Sequence, residues 1–543
     1  TPSTEILEEI VQYKDDIYCE WAPNEKVATE VAIGASIAGV RSLSAMKHVG
    51  LNVAADPIFT YSYLGVNGGY VLITADDPSM HSSQNEQDNR YYAKSAKIPM
   101  IEPSDSQEAK DFLAEAYKVS EQFDTPVMYR LTTRVCHSKS MVELGERTEV
   151  EPKNYERNAA KFVAAPANAK IARIRVEERM KALEEYACSS PLNKVEYNNG
   201  TKIGIITAGI SYQYVKEVFE DNASYLKLGF TFPLPMNLIR EFASKFETVY
   251  VVEELDPFME EHIKAAGIKC IGKELIPAMY ELNPDIVAKA LLNKENETKK
   301  VDAKVVGRPP VLCPGCPHRG FFYTMSKKKN TVITGDIGCY TLGGSPPLGA
   351  LDTVICMGAG FSAGMGMAKA FEVSDRDTKV FGVVGDSTFF HSGITGAIDI
   401  AYNKGKMVPV VLDNRITGMT GHQENPGTGK TLMGEDAIQI DPVEVLKAIG
   451  YKTVKTVDPC DLKAMDEVIT EAENSEEPFA IVTKRPCVLI KNLPPFKTKC
   501  KVDRDKCKKC KMCLKVGCPA IFFKDGASYI DQSMCVGCEV CMQ

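Results

Sequence analysis

Short apolar runs that end on a polar residue recur along the chain, with helical stretches between them. Tyr70 to Ala75, Val127 to Leu131, Lys202 to Thr207, Thr248 to Val252, Val354 to Met357, Val380 to Val384 and Met407 to Leu412 each read as a strand. Strands alternating with helices predict an α/β fold with parallel sheets. Thr1-Pro2-Ser3 ahead of Glu5-Ile6-Leu7 predicts a helix start, with Thr1 as N-cap and Pro2 at the first helical position. Glu25 opens a second helix, rich in small residues through Gly39. The charged helical stretch Ile171 to Tyr186 carries no visible chemistry and reads as a linker, as does Asn293 to Lys304.

The strand–helix–strand unit from Val380 to Asn414 carries the clearest chemistry. Its first strand ends in Gly385-Asp386-Ser387 and its second in Asp413-Asn414, so Asp386 and Asn414 fall at the same edge of a parallel sheet. Ligands bind outside that edge in open α/β sheets. A carboxylate and an amide oxygen suit Mg²⁺, which keeps a few protein oxygens and takes phosphate oxygens as well. Gly358-Ala359-Gly360, between a strand and a helix, makes a diphosphate cradle. A plain βαβ unit with a polar loop is the alternative.

Composition narrows the partners. With 44% hydrophobic and 25% charged residues among 543, the chain reads as an ordinary globular protein of several domains. A net charge of −8 argues against nucleic acid as the main partner, and no apolar run is long enough to span a membrane. The chain begins with Thr1, not Met, so a leading segment is expected to be missing or processed.

Eight of the 18 cysteines fall between Cys500 and Cys541. Cys507-x₂-Cys510-x₂-Cys513-x₄-Cys518-Pro519, followed by Cys535-x₂-Cys538-x₂-Cys541, resembles the two-cluster bacterial ferredoxin pattern, in which the last Cys of one run serves the other cluster. Such spacing reads as metal ligation in a reducing, anaerobic cytoplasm; zinc would need four ligands of its own at each site. Cys518 would complete the Cys535, Cys538, Cys541 set. The fourth ligand of Cys507, Cys510 and Cys513 lies beyond an incomplete C-terminus, or Cys500 substitutes for it.

The Gly385-Asp386…Asn414 pattern is similar to the thiamine diphosphate (ThDP) motif, with Ser387 in place of its usual last Gly. Asp77–Asp88, Cys313-Pro314-Gly315-Cys316-Pro317-His318-Arg319, Gly335–Gly343, Thr417–Gln423 and Thr1–Glu5 then make the whole chain resemble the 2-oxoacid:ferredoxin oxidoreductases, and among them the large (alpha) subunits of the indolepyruvate ferredoxin oxidoreductase family.

That resemblance implies a pyrimidine-binding ThDP domain (residues 1–150, its N-terminus missing), a linker (151–197), a transketolase C-terminal-like α/β domain (198–295), a diphosphate-binding ThDP domain (305–490) and a ferredoxin-type module (497–543). It implies ThDP held by Thr1, Gly358, Gly360, Gly385, Asp386, Ser387, Asn414, Ile416 and Thr417, with Mg²⁺ on Asp386, Asn414 and the Ile416 carbonyl. Glu25 would be the catalytic carboxylate on the pyrimidine. It also implies two [4Fe–4S] clusters, and a third beside ThDP on Cys313, Cys316, Cys339 and Cys487, the alternative being buried thiols. The reaction would be oxidative decarboxylation of an arylpyruvate with coenzyme A, with ferredoxin as acceptor. A smaller beta subunit would complete an α₂β₂ enzyme. Another 2-oxoacid, non-oxidative decarboxylation, and a non-catalytic electron-transfer subunit stay open. His81, His391 and His422 are candidate acids or substrate contacts, and Arg90, Lys94 and Arg134 candidate partners for a substrate carboxylate.

Overall fold

The computed structural model describes residues 3–295, 303, 306–491, 493 and 498–543. Thr1 and Pro2, and most of the stretch from Asn293 to Lys304, lie outside the described residues. The chain divides into two units, residues 1–13 with 24–302 and residues 14–23 with 303–543.

The first unit contains two sheets. In the five-stranded sheet the order is Ser42–Lys47, Tyr70–Asp76, Val127–Thr132, Met100–Ile101, Phe230–Phe232, parallel except for the last strand. The four-stranded sheet runs Lys194–Glu196, Ser224–Leu228, Ile203–Ala208, Thr248–Val252, with the first strand antiparallel. Phe230–Phe232 leaves the sequence neighbourhood of the second sheet to pair in the first. Residues 166–189 form one helix whose Ala172, Val176, Leu183 and Ala187 are buried. The charged stretch is a helix, as its sequence suggests, and it is longer and packed along a narrow apolar stripe. The first helix runs Thr4–Ile10 with Ser3 as its N-cap, two residues after the Thr1 that the sequence suggests.

Two buried arginines pin this unit together. Arg90 donates to Asp88 Oδ1 from Nε (2.9 Å), pairs with Glu253, and reaches the Glu254 and Asp256 carbonyls, each at 2.9 Å. Arg130 pairs with Asp76 at 2.7 Å and Glu102 at 2.6 Å. Burial and the neighbouring charges leave Asp76 pushed up to about 6 and Glu254 to about 7. Arg90→Ala strands two carboxylates in the interior, and the expected loss is about 3–5 kcal/mol. Urea unfolding followed by circular dichroism checks it; a loss under ~1 kcal/mol, the range of an exposed pair, would contradict the structure.

The second unit is built on a six-stranded, wholly parallel sheet ordered Thr353–Val354, Thr331–Gly335, Lys379–Gly385, Val408–Asp413, Phe479–Lys484, Thr453–Val457. Helices cover both faces, so its strands are apolar on both sides. Phe381, Val383, Val408, Val410 and Leu412 fill one core, and Val380, Val384 and Val411 the other. The expected strand Val354 to Met357 is cut to Thr353–Val354, because the chain turns at once into the glycine loop before the helix Ala359–Val373. After Gly385 the backbone goes through Asp386–Thr388 and a wide π-turn at Phe389–Gly393 into the helix Ile394–Tyr402. At the C-terminus, Ile521–Lys524 and Ala527–Ile530 form a hairpin closed by Asp525-Gly526, both with positive φ, as a tight two-residue turn requires. No helix among the described residues is long and apolar enough to cross a membrane.

Candidate active site

Three adjacent strands of the six-stranded sheet end in acidic residues. Register sets Gly385 opposite Leu412, so Asp386 and Asn414 emerge together. The Asn414 carboxamide lies 2.8 Å from the Ile416 carbonyl and 3.1 Å from Asp386 Oδ1. With its nitrogen turned inward it donates to both; with its oxygen turned inward it completes a tripod of three oxygens, a donor set that fits Mg²⁺. The other Asp386 oxygen accepts from Asn425 Nδ2 at 3.1 Å. Burial, with Asp413 nearby, pushes the Asp386 carboxyl up to about 7. A buried carboxylate lacking a cationic side chain is one that a bound cation would stabilise.

Beside it sits the glycine loop. Asp336, at the end of the neighbouring strand, accepts from the Gly358 and Gly360 amides at 2.6 and 3.4 Å. Gly358 has φ +88, and a Cβ on Gly360 would lie 2.3 Å from the Val383 carbonyl. The loop therefore packs flat on the sheet and opens the helix Ala359–Val373, whose N-terminus favours an anion. A Cβ on Gly385 would meet the Tyr340 ring at 2.5 Å. Ser387 finds work in place of glycine: its hydroxyl accepts from Thr417 Oγ1 at 3.0 Å. The Thr417 amide donates to the Gln423 carbonyl at 3.0 Å, closing the loop after Asn414. Asp336 and Tyr340 entered the sequence reading only within the Gly335–Gly343 stretch, without a role, and Asn425 not at all. Asp336 had a signal, since it ends a strand just as Asp386 does; Asn425 had none.

Cysteines gather against this loop. A Cβ on Gly418 would lie 3.6 Å from Cys339 Sγ and 3.8 Å from Asn414 Nδ2, and the Cys487 amide donates to the Asn414 carbonyl at 2.9 Å. Burial pushes Cys339 up to about 11, helped by the charges of Cys487 and Cys313. Burial likewise raises Cys316 to about 12, with Cys313 and Cys339 adding to it, and raises Cys487, which feels Cys313 and Asp386. Cys313 thus lies within electrostatic reach of the other three thiols, and Cys339 and Cys487 sit beside the tripod.

The Cys313 segment and the helix His318–Met325 that follows it reach the C-terminal module. Buried Arg319 donates to the Leu312 and Cys313 carbonyls (2.6 and 3.0 Å) and to those of Val516 and Gly517 (3.1 and 2.5 Å). Next to it, a small cleft, partly open to solvent, is lined by Cys518, Cys535, Cys538, Cys541 and Cys500. Cys500 hydrogen-bonds with Cys541 and feels Cys535 and Cys538, and Cys513 packs in the same small cluster. Cys460 adds a contact that the sequence did not signal: its thiol bonds to Cys538, holding the Cys538 thiol down to about 6. Cys507 is held below its usual value by amides of Ser528 and Lys509, while Cys513 Sγ meets Ser528 Oγ at 3.1 Å. Among the described residues, no three His, Cys, Asp or Glu side chains converge on one ion. A four-iron cluster spreads its cysteines wider than a single tetrahedral zinc.

In the first unit, Glu25 stands in the first turn of the helix Glu25–Ile37, capped by Asn24. Its side chain lies over Gly50, where a Cβ would come 2.7 Å from Glu25 Cγ and Oε1. Of the three cations considered for a substrate carboxylate, Arg90 is consumed by its buried ion pairs and is structural. Arg134 pairs with Glu281, which also meets His81 at 3.2 Å; Lys94 is exposed. His391 Nδ1 meets Ser392 Oγ at 2.9 Å, and that hydroxyl is fixed to the Met357 carbonyl beside the glycine loop.

Residues 336–483 match the family of thiamine pyrophosphate enzymes through their C-terminal TPP binding domain, and residues 1–188 the thiamine-diphosphate-binding domain of pyruvate flavodoxin/ferredoxin oxidoreductases. Over its whole length, and over 91% of theirs, the chain is 41% identical to the indolepyruvate oxidoreductase subunit IorA of Archaeoglobus fulgidus and 40% identical to those of Methanothermobacter marburgensis and Pyrococcus horikoshii. The chain belongs to the indolepyruvate oxidoreductase family. As an oxidoreductase subunit of that family it is ThDP-dependent, and the term subunit in the relatives' name implies a partner chain. The tripod and glycine loop both fall within the matched TPP domain.

Proposed function

We propose that the chain is the catalytic subunit of an enzyme that oxidatively decarboxylates an arylpyruvate such as indole-3-pyruvate. The acyl group passes to coenzyme A, and two electrons leave singly through iron–sulfur clusters to a ferredoxin. A smaller subunit completes an α₂β₂ assembly in the cytoplasm of an anaerobe. The observation that carries this reading is the cysteine tetrad against the metal tripod: Cys339 and Asn414 share Gly418 as neighbour, and Cys487 is bonded to the Asn414 backbone. A non-oxidative decarboxylase has no use for thiols there.

ThDP, when bound, supplies the nucleophilic carbon and the electron sink of decarboxylation. Asp386, Asn414 and the Ile416 carbonyl would hold its Mg²⁺, and the Gly358–Gly360 amides its diphosphate. Glu25 would hold a proton on the pyrimidine. Cys313, Cys316, Cys339 and Cys487 would ligate the nearest cluster. Cys518, Cys535, Cys538 and Cys541 would ligate a second, with Arg319 bridging the two loops, and Cys507, Cys510 and Cys513 would hold an outer one.

The test is an anaerobic assay of the enzyme with its partner subunit and a low-potential viologen dye. Indolepyruvate, phenylpyruvate, pyruvate and branched-chain oxoacids are compared with and without coenzyme A. Dye reduction that requires coenzyme A and is fastest with an aryl substrate is the expected result. Carbon dioxide release without dye reduction would favour the non-oxidative alternative.

A further inference from the structure

The two cysteine runs of the C-terminal module differ at their middle cysteine, part-buried at Cys538 and exposed at Cys510. Cys535, Cys538 and Cys541 line the cleft beside Gly315 and Arg319. In the other run Cys510 is exposed, and Lys508, Lys509 and Lys511 beside it are exposed as well. Between residues 499 and 524 there are nine lysines and arginines against two aspartates, in a chain whose net charge is −8. The positive charge is thus gathered where the module meets solvent.

Backbone geometry makes the lysines conspicuous. Both runs need a left-handed residue at the position before the middle cysteine and again just after it. The inner run meets this with Gly537 at φ +80 and Glu539 at φ +61; the outer run uses Lys509 at φ +57 and Lys511 at φ +58. Glycine is the unstrained choice at such positions. The outer run carries lysine at both, where the inner run has a glycine and a glutamate. Lys511 Nζ lies 4.7 Å from the Phe523 ring, and the half-exposed Met512 with the Phe522–Tyr529 pair gives a small apolar contact area nearby.

We infer that Lys508, Lys509 and Lys511, ringing the exposed Cys510, form the docking surface for an acidic one-electron carrier protein of the ferredoxin kind. The inference rests on the oxidoreductase reading above and adds where its electrons leave. Each encounter would pass one electron to the oxidised carrier from the cluster that Cys507, Cys510 and Cys513 would hold, with no bond made or broken. A basic ring around a small apolar contact gives fast, salt-sensitive, short-lived association, which a carrier that must leave again requires.

The test uses the complete enzyme and an acidic two-cluster ferredoxin, with binding read by biolayer interferometry at about 20 mM and about 300 mM salt, which shortens the reach of charges severalfold. In K508Q/K509G/K511G the glycines suit the left-handed positions, so melting temperature and iron content should hold. Binding at low salt is expected to weaken about 10-fold or more, and the salt dependence to flatten. Viologen reduction, which needs no protein docking, should be unchanged. An unaltered affinity, or no ferredoxin binding by the parent enzyme, overturns the proposal. So does a DNA duplex that binds the parent as tightly and is lost equally in the variant, since the patch would then be a general polyanion surface. If the parent binds ferredoxin but no oxoacid reduces the dye, the reaction assignment fails while the docking result still stands or falls by its own measurement.

Discussion

Glu25→Gln is expected to lower oxoacid-dependent dye reduction by about 10²–10⁴-fold, the range that one positioned acid–base group contributes, while leaving the visible absorbance of the proposed iron–sulfur centres unchanged. The substitution is nearly isosteric. Glu25 sits in a helix first turn capped by Asn24, and its side chain lies over a glycine, so an amide fits the same space. Only the charge is removed. A second variant separates position from charge. Gly50→Ala puts a methyl 2.7 Å from Glu25 Cγ and Oε1, which must move the carboxylate while keeping it ionised. The atoms met belong to a flexible side chain, so the fold should tolerate the methyl. Both variants should lose turnover. If Glu25→Gln kept parental kcat, Glu25 would not be the carboxylate of the reaction; if only Gly50→Ala lost activity, the site would depend on packing there and not on the acid.

Asp386→Asn should empty the cofactor site without harming the fold. The carboxylate is buried, is pushed up to about 7 by burial and by Asp413, and has Asn425 as its side-chain donor. Removing its charge relieves an electrostatic cost in the metal-free protein, so the melting temperature without Mg²⁺ should not fall. With Mg²⁺ present, the tripod loses its only formal charge. The ThDP concentration for half-maximal activity should rise by at least the 10–100-fold that losing even an outer partner of a metal ligand costs. Thiochrome fluorescence of gel-filtered protein reads the bound cofactor directly. Retention of parental ThDP content would remove Asp386 from the binding site.

The pair of variants also shows why the two sites were unequally visible. Asp386 and Asn414 could be read from the chain because a parallel strand must end at the ligand edge of its sheet, and both residues follow an apolar run directly. The four cysteines by the tripod were legible only through family likeness: Cys313, Cys316, Cys339 and Cys487 are spread over 175 residues of sequence. Arg90 misled for a general reason. A cation near a polar loop looks available until its partners are known, and three of Arg90's partners, Glu253, Glu254 and Asp256, lie far away in sequence. Cys500 was similarly ambiguous, since proximity in sequence to Cys507 says nothing of which run its thiol faces.

By itself the sequence determined the elements and the local chemistry: the alternation of strands and helices, the Asp and Asn at strand ends, the glycines before the helix Ala359–Val373, and the two cysteine runs. These follow from short-range rules, in which side-chain shape and backbone freedom act on neighbours. Only the tertiary structure decided that the charged helix 166–189 is part of a core, that Asp336 holds the glycine loop, that Cys500 and Cys460 touch the inner cysteine set, and that Cys510 stays in water with its lysines. Those are questions of which distant surfaces exclude solvent together. Burial and electrostatic coupling depend on distance in space, and no spacing along the chain encodes them.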